Sequence, residues 1–271
     1  MGINNKTIVF VGSGNMAQSI IAVMIKAAIV NPENIICNDI VQIKLDLLKE
    51  KYGVLVSSDK RESVSKADMI FLAVKPQNMP QLLEEVKPFI KLGALVISIA
   101  AGISTKYIEE TLGGKVSVVR VMPNTPVLVG CGASALCGGK FACDENLKDV
   151  KDIFEGAGIA RIMSEDKFDA ITALSGSGPA YVFYLCELMR EAGAKLGLDV
   201  EIAADFAVQT VFGAGQMLAQ TSIDAADLRR NVTSPNGTTQ AALEYFKSQN
   251  LSDIVFAAMQ AAVRRSKEFG R

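Results

Sequence analysis

Apolar positions in the first 163 residues come in short unbroken runs separated by amphipathic stretches. Thr7–Val11 (TIVFV), Met69–Val74 (MIFLAV), Leu95–Ala100 (LVISIA) and Val116–Val121 (VSVVRV) are rich in β-branched residues, as strands buried on both faces require. Ile35–Cys37 and Val54–Val56 read as two shorter strands. Helices are predicted from the glycine turn after Val11 through Ile29 and over Lys44–Tyr52, and Lys75-Pro76 ends the Met69 strand because proline cannot continue a ladder. This alternation over residues 6–163 predicts an α/β fold with a parallel, right-handed, doubly wound sheet.

From Glu165 onward the strand pattern disappears. Asp166–Leu174, Ala180–Leu196, Val200–Ala219, Ala225–Val232, Thr238–Lys247 and Leu251–Glu268 all carry helical signatures, with Gly or Asp near their ends. The division is therefore expected at residues 1–164 and 165–271, with Ser175-Gly176-Ser177-Gly178-Pro179 as a non-regular interruption. Ile171–Cys186 and Phe206–Ile223 contain no charge, so each must be buried all round. One helical domain of this length cannot wrap both, and a homodimer through that domain is predicted.

Composition narrows the partners. The chain has 271 residues, 49% of them hydrophobic, and a net charge of −1, which gives no reason to expect nucleic acid or an anionic membrane. The uncharged window Phe206–Ile223 holds five glutamine and threonine residues and is too polar for a span, which needs about 20 mostly apolar residues. No signal peptide is visible. The five cysteines form no CxxC pair and read as reduced thiols of a cytoplasmic protein. With no histidine anywhere, imidazole chemistry and most zinc sites are excluded, and no metal is expected.

Candidate chemistry begins at Gly12-Ser13-Gly14-Asn15-Met16-Ala17, which fits G-x-G-x-x-G/A between a strand and a helix. Gly12 would allow the tight turn, Gly14 the approach of a dinucleotide pyrophosphate and Ala17 the close packing of helix on strand. Asp39, after the second strand, is either the acid that binds an adenosine ribose or an ordinary exposed turn aspartate, whereas Lys60 and Arg61 could meet a 2′-phosphate, so the sequence points both ways between NADH and NADPH. Lys75 and Ala101-Gly102 follow strand ends and would face the cofactor. Asn124 and Thr125, bracketed by prolines, form a stiff loop. Asn231–Thr239 (NVTSPNGTT) is a hydroxyl-rich turn opening a helix, either a seat for a small carboxylate or an ordinary N-cap.

Taken in order, VGSGNMA, LAVKP, SIAAGI, RVMPNTP, LSGSGPAY and NVTSPNGTT resemble the pyrroline-5-carboxylate reductase family over nearly the whole chain. That resemblance implies a Rossmann domain followed by an all-α dimerisation domain, and reduction of the cyclic imine 1-pyrroline-5-carboxylate to L-proline by NADPH or NADH. It also implies dimers that assemble further, commonly into decamers. Carried over by position, Ser13, Asn15 and Met16 would hold the pyrophosphate, and Val74, Lys75 and Ala101 the nicotinamide half. Asn231, Thr238 and Thr239 would contact the substrate with Ser234 nearby, Thr239 would be closest to the imine nitrogen, and Glu165 would approach the ligand. Three departures stand out. Asn236 replaces the first glycine of the family turn SPGGTT, Asp39 stands where NADP-using members often have hydroxyl or basic residues, and Lys60 stands where an asparagine often contacts the ribose. A related β-hydroxy-acid dehydrogenase would need a lysine within a second-domain helix, and Lys195, near Gly197 at a helix end, is a poor match. A non-catalytic nucleotide sensor would not need the hydroxyl turn.

Overall fold

The computed structural model describes residues 3–269. Its first half alternates β1 (Ile8–Val11), α1 (Asn15–Lys26), β2 (Ile35–Asn38), α2 (Gln42–Tyr52), β3 (Leu55–Val56), α3 (Lys60–Lys66), β4 (Met69–Leu72), α4 (Met79–Val86), β5 (Leu95–Ser98), α5 (Thr105–Leu112), β6 (Ser117–Met122), β7 (Gly132–Gly138), α6 (Asp144–Glu155) and β8 (Gly158–Ile162). The strands form one sheet in the order β3-β2-β1-β4-β5-β6-β7-β8. From β3 to β6 all pairs are parallel. Because β2 and β4 flank β1 on opposite sides, the winding reverses at β1 and leaves a crevice at the carboxyl ends of these strands.

The apolar runs behave as expected. Ile8 and Phe10 join Met69, Phe71, Leu95 and Ile97 in the core on one face of the sheet, while Val9 and Val11 join Ile70, Leu72 and Val96 on the other. Phe10 and Phe71 stack with ring centroids 4.4 Å apart. Strands with no polar face lie inside the molecule, and their carboxyl ends are where backbone leaves the core with little freedom.

Two expectations need correction. The sheet is not wholly parallel, since β7 runs antiparallel to β6. The connection between them holds only a 3-10 turn at Thr125–Val129, and so short a link can reverse the chain but not cross over. β8 then pairs parallel to β7 through α6. The second correction concerns Ser175–Pro179. In place of a break, α7 (Phe168–Ile171) runs into a π-helical turn at Thr172–Gly176, and α8 (Gly178–Lys195) begins almost at once.

After α8 come α9 (Val200–Gln220), α10 (Ala225–Asn231), α11 (Thr238–Ser248) and α12 (Leu251–Phe269). The chain divides into two compact units, one ending at Ser177 and resuming at Ala262, the other Gly178–Ala261. In the first, the Ser266 hydroxyl of α12 donates to Asp169 Oδ1 at 2.7 Å. In the second, the only buried residues are Ala203 and Ala207, and Phe183, Phe206, Phe212 and Phe256 are exposed. No helix among the described residues is long and apolar enough to cross a membrane.

Candidate active site

Gly12 turns the chain out of β1 at φ +103°, and a Cβ there would lie 2.6 Å from the Ala73 carbonyl oxygen. No other residue fits that approach. Its N–H donates to the Asn38 carbonyl across the ends of β1 and β2. Gly14 caps α1 without a side-chain hydrogen bond, and a Cβ on it would meet nothing within 4 Å. The first intrahelical bond in α1 is from Gln18 N–H to the Gly14 carbonyl. The N–H groups of Asn15 and Met16 thus open onto the cradle with the positive end of the helix behind it, which fits a pyrophosphate.

Ser13 sits differently from the expectation of a pyrophosphate contact. It is fully buried, and its N–H and its hydroxyl both donate to Asp39 Oδ2, at 2.8 and 2.7 Å. Asp39 Oδ1 accepts the Val41 N–H at 3.0 Å. Burial raises the Asp39 pKa, but the Ser13 hydroxyl, the Ser13 and Val41 N–H groups and the Lys44 charge together hold it below the usual carboxylate range. Asp39 is therefore ionised and clamped at the edge of the cradle, with capacity left on Oδ1 for one more donor. Lys60 is not brought to it, being ion-paired with Glu85. Asn38 beside it gives its amide N–H groups to the Ser57 carbonyl and the Ser63 hydroxyl and leaves Oδ1 buried with no partner among the described residues. On the other side of β1, Val74 is half-buried, Lys75 exposed, and Ala101 half-buried ahead of Gly102.

Glu165 is also placed otherwise than expected. Its Oε1 accepts from the Thr105 N–H and from Arg120 Nη1, both at 2.9 Å, and its Oε2 from the Thr105 hydroxyl at 2.7 Å. The carboxylate thus sits on the N-terminus of α5, held by three donors. Arg120, 5% exposed, stacks over the Phe168 ring with 4.7 Å from guanidinium carbon to centroid. Sequence reasoning missed Arg120 and Thr105. A signal existed for the arginine, since it is the one charge in a strand that reads SVVRVM.

The hydroxyl turn lies in the second unit between α10 and α11, with Asn231 ending α10, Ser234 in the connection, and Thr238 and Thr239 opening α11. Asn236 takes φ +57°, the left-handed conformation that asparagine tolerates, so the turn keeps its shape without glycine at that position. Its N–H donates to Gln240 Oε1 and that of Gly237 to the Ser234 carbonyl, at 2.8 and 3.0 Å. Gly237 itself caps α11, with no side-chain cap. The N-capping alternative is therefore not how these hydroxyls are used. Asn231, Ser234 and Thr238 are exposed and Thr239 half-buried, around the first free N–H groups of a helix.

This arrangement has close counterparts among known proteins. Residues 165–269 match the family described as pyrroline-5-carboxylate reductase dimerisation, and residues 7–102 that described as NADP oxidoreductase, coenzyme F420-dependent. Pyrroline-5-carboxylate reductase of Methanosarcina acetivorans is 39% identical over 267 residues, 98% of this chain and 99% of that one. A pyrroline-5-carboxylate reductase structure from Coxiella burnetii superposes with a TM-score of 0.91 at 39% identity, covering 99% of this chain and 100% of its own. A Plasmodium falciparum pyrroline carboxylate reductase structure with NADP bound gives 0.89 at 32% identity over 100% of both chains. Matched by that family's dimerisation model over residues 165–269 and 39% identical to a pyrroline-5-carboxylate reductase over nearly its whole length, the chain belongs to the pyrroline-5-carboxylate reductase family.

Proposed function

We propose that the protein reduces 1-pyrroline-5-carboxylate to L-proline at the expense of NADPH or NADH. The observation that carries this reading is the pairing, in one chain, of an open glycine cradle on α1 with a helix N-terminus on α11 ringed by uncapped hydroxyls. Bound reduced nicotinamide would supply a hydride, with its electron pair, to the imine carbon. The chain's own residues bind and orient. Asn15 and Met16 N–H groups hold the pyrophosphate, Val74, Lys75 and Ala101 flank the nicotinamide half, and Asp39 reads the adenosine ribose. Thr238 and Thr239, with Asn231 and Ser234 beside them, seat the substrate carboxylate at the positive end of α11. The Thr239 hydroxyl faces the imine nitrogen and orients a proton that the substrate has already taken from solvent, because a threonine hydroxyl is too weak an acid to supply it.

Copies of the chain pair through the helical unit, whose exposed phenylalanines need a cover, and dimers assemble further, to a decamer in the fullest case. Five cysteines, none in a disulfide, accord with a cytoplasmic setting. The test is to follow NADPH and NADH oxidation separately with 1-pyrroline-5-carboxylate as sole acceptor, alongside light scattering for the assembly. Turnover with one or both is expected. Dinucleotide binding without any imine reduction would leave the nucleotide-sensor reading in its place.

A further inference from the structure

Glu165, Thr105 and Arg120 come from three distant stretches of the chain and meet at the start of α5. Ser104 caps this helix by accepting the Tyr107 N–H, which leaves the Thr105 N–H without a helical carbonyl. Glu165 takes that N–H on Oε1 and the Thr105 hydroxyl on Oε2. Behind it, Arg120 gives Nη1 to the same carboxylate, while its Nε and Nη2 are buried with no partner among the described residues. A buried guanidinium with unmet donors is a costly way to secure stability alone. What the cluster does secure is one end of a short loop. Ala100–Ser104 joins the carboxyl end of β5 to α5, the sheet ladder fixes its first end, and Glu165 fixes the second.

That loop faces the cofactor crevice. Asp39 marks the β2 side of the Gly12 turn, and β4 and β5 lie on the other. A dinucleotide with its adenosine end towards Asp39 lays its nicotinamide end along Val74 and Ala101. We propose that Glu165 is a positioning residue, which with Arg120 behind it holds Thr105 and so sets the Ala101–Gly102 backbone that the nicotinamide ring rests on. This rests on the dinucleotide reading given above, and it gives Glu165 a part in the cofactor wall.

Binding of fragments separates the possibilities without needing turnover. Dissociation constants would be measured for the tighter of NADPH and NADH, for the matching ADP-ribose fragment that lacks nicotinamide, and for proline, in wild type, Glu165→Ala and Glu165→Gln. In Glu165→Ala the reduced dinucleotide is expected to weaken by about tenfold and the ADP-ribose fragment by less than about twofold. Glu165→Gln, which keeps an acceptor for the Thr105 N–H, recovers most of the loss. Equal weakening of dinucleotide and fragment, or no change in either, overturns the proposal, as does weakened proline binding with dinucleotide binding intact. Should Glu165→Ala fail to fold, Thr105→Val is expected to give the same selective loss at smaller size, and Thr105→Ser to restore it. Wild-type protein that binds neither dinucleotide nor fragment would overturn the dinucleotide reading itself, and this proposal with it.

Discussion

The Asn124 side chain bridges two loops that lie 51 residues apart, donating Nδ2–H to the Ser175 carbonyl at 3.1 Å and accepting the Ala133 N–H on Oδ1 at 2.9 Å. The partner carbonyl belongs to the π-helical turn, where Ser177 N–H reaches back five residues to Thr172 and the regular ladder is interrupted. The MPNTP and SGSGP stretches, conspicuous in the sequence for separate reasons, are thus two halves of one part-buried contact. Asn124→Ala should leave an N–H and a carbonyl unmet and cost roughly 2–4 kcal/mol. Urea denaturation would show this as a lower midpoint at unchanged slope, and an unchanged midpoint would show the bridge to be dispensable.

The two turn glycines should fail in opposite ways. Gly12→Ala forces a Cβ to 2.6 Å from the Ala73 carbonyl at φ +103° and should lower the melting temperature as well as dinucleotide affinity. Gly14→Ala adds a methyl at an ordinary φ of −69° into open space, so the fold should stand while the phosphates lose their place. Thermal melts beside fluorescence titration with NADPH separate them. Equal loss of stability in both variants would refute the distinction.

Asp39 makes its own pH signature. Its folded pKa is lowered, so its contribution to stability is full above the unfolded value of about 3.9 and fades as pH falls through the folded one. Asp39→Asn should flatten the acid limb of a stability profile below about pH 4 and leave neutral pH nearly flat. Asp39→Ser should also shift kcat/KM towards NADPH, because an ionised carboxylate repels a 2′-phosphate. No shift in preference would mean that Asp39 serves the Ser13 turn alone.

Thr239 is separable from cofactor binding. Thr239→Ala should lower turnover with 1-pyrroline-5-carboxylate by about tenfold to a hundredfold while the NADPH dissociation constant stays put. Turnover equal to wild type would remove its hydroxyl from the reaction.

What the sequence disclosed follows from what each residue needs. TIVFV and MIFLAV could only be strands buried on both faces, and the glycine turn announces itself because Gly12 has no substitute. Gly132–Gly138, GASALCG, has neither β-branched side chains nor alternation, and its strand is set by pairing with β6, which no local pattern encodes. Ser175–Pro179 misleads for a related reason. Glycine, serine and proline usually punctuate, yet a helix can absorb an extra residue when a distant side chain such as Asn124 takes the freed carbonyl. Glu165 was visible as a charge, but its partners lie 60 and 45 residues away. In the hydroxyl turn, the residue types were legible and the absence of a side-chain cap was not.

The sparse interior of the helical unit, two alanines among exposed phenylalanines, changes what stability means for this protein. A segment that hides so little of itself draws its free energy from whatever covers it, and that cover behaves as a ligand of the folded form. Where the cover is another copy, protein concentration becomes a variable of folding, with each tenfold dilution withdrawing about 1.4 kcal/mol from the association. Enzyme abundance and enzyme integrity are then one quantity. A cell making little of this chain would hold not merely fewer molecules but looser ones.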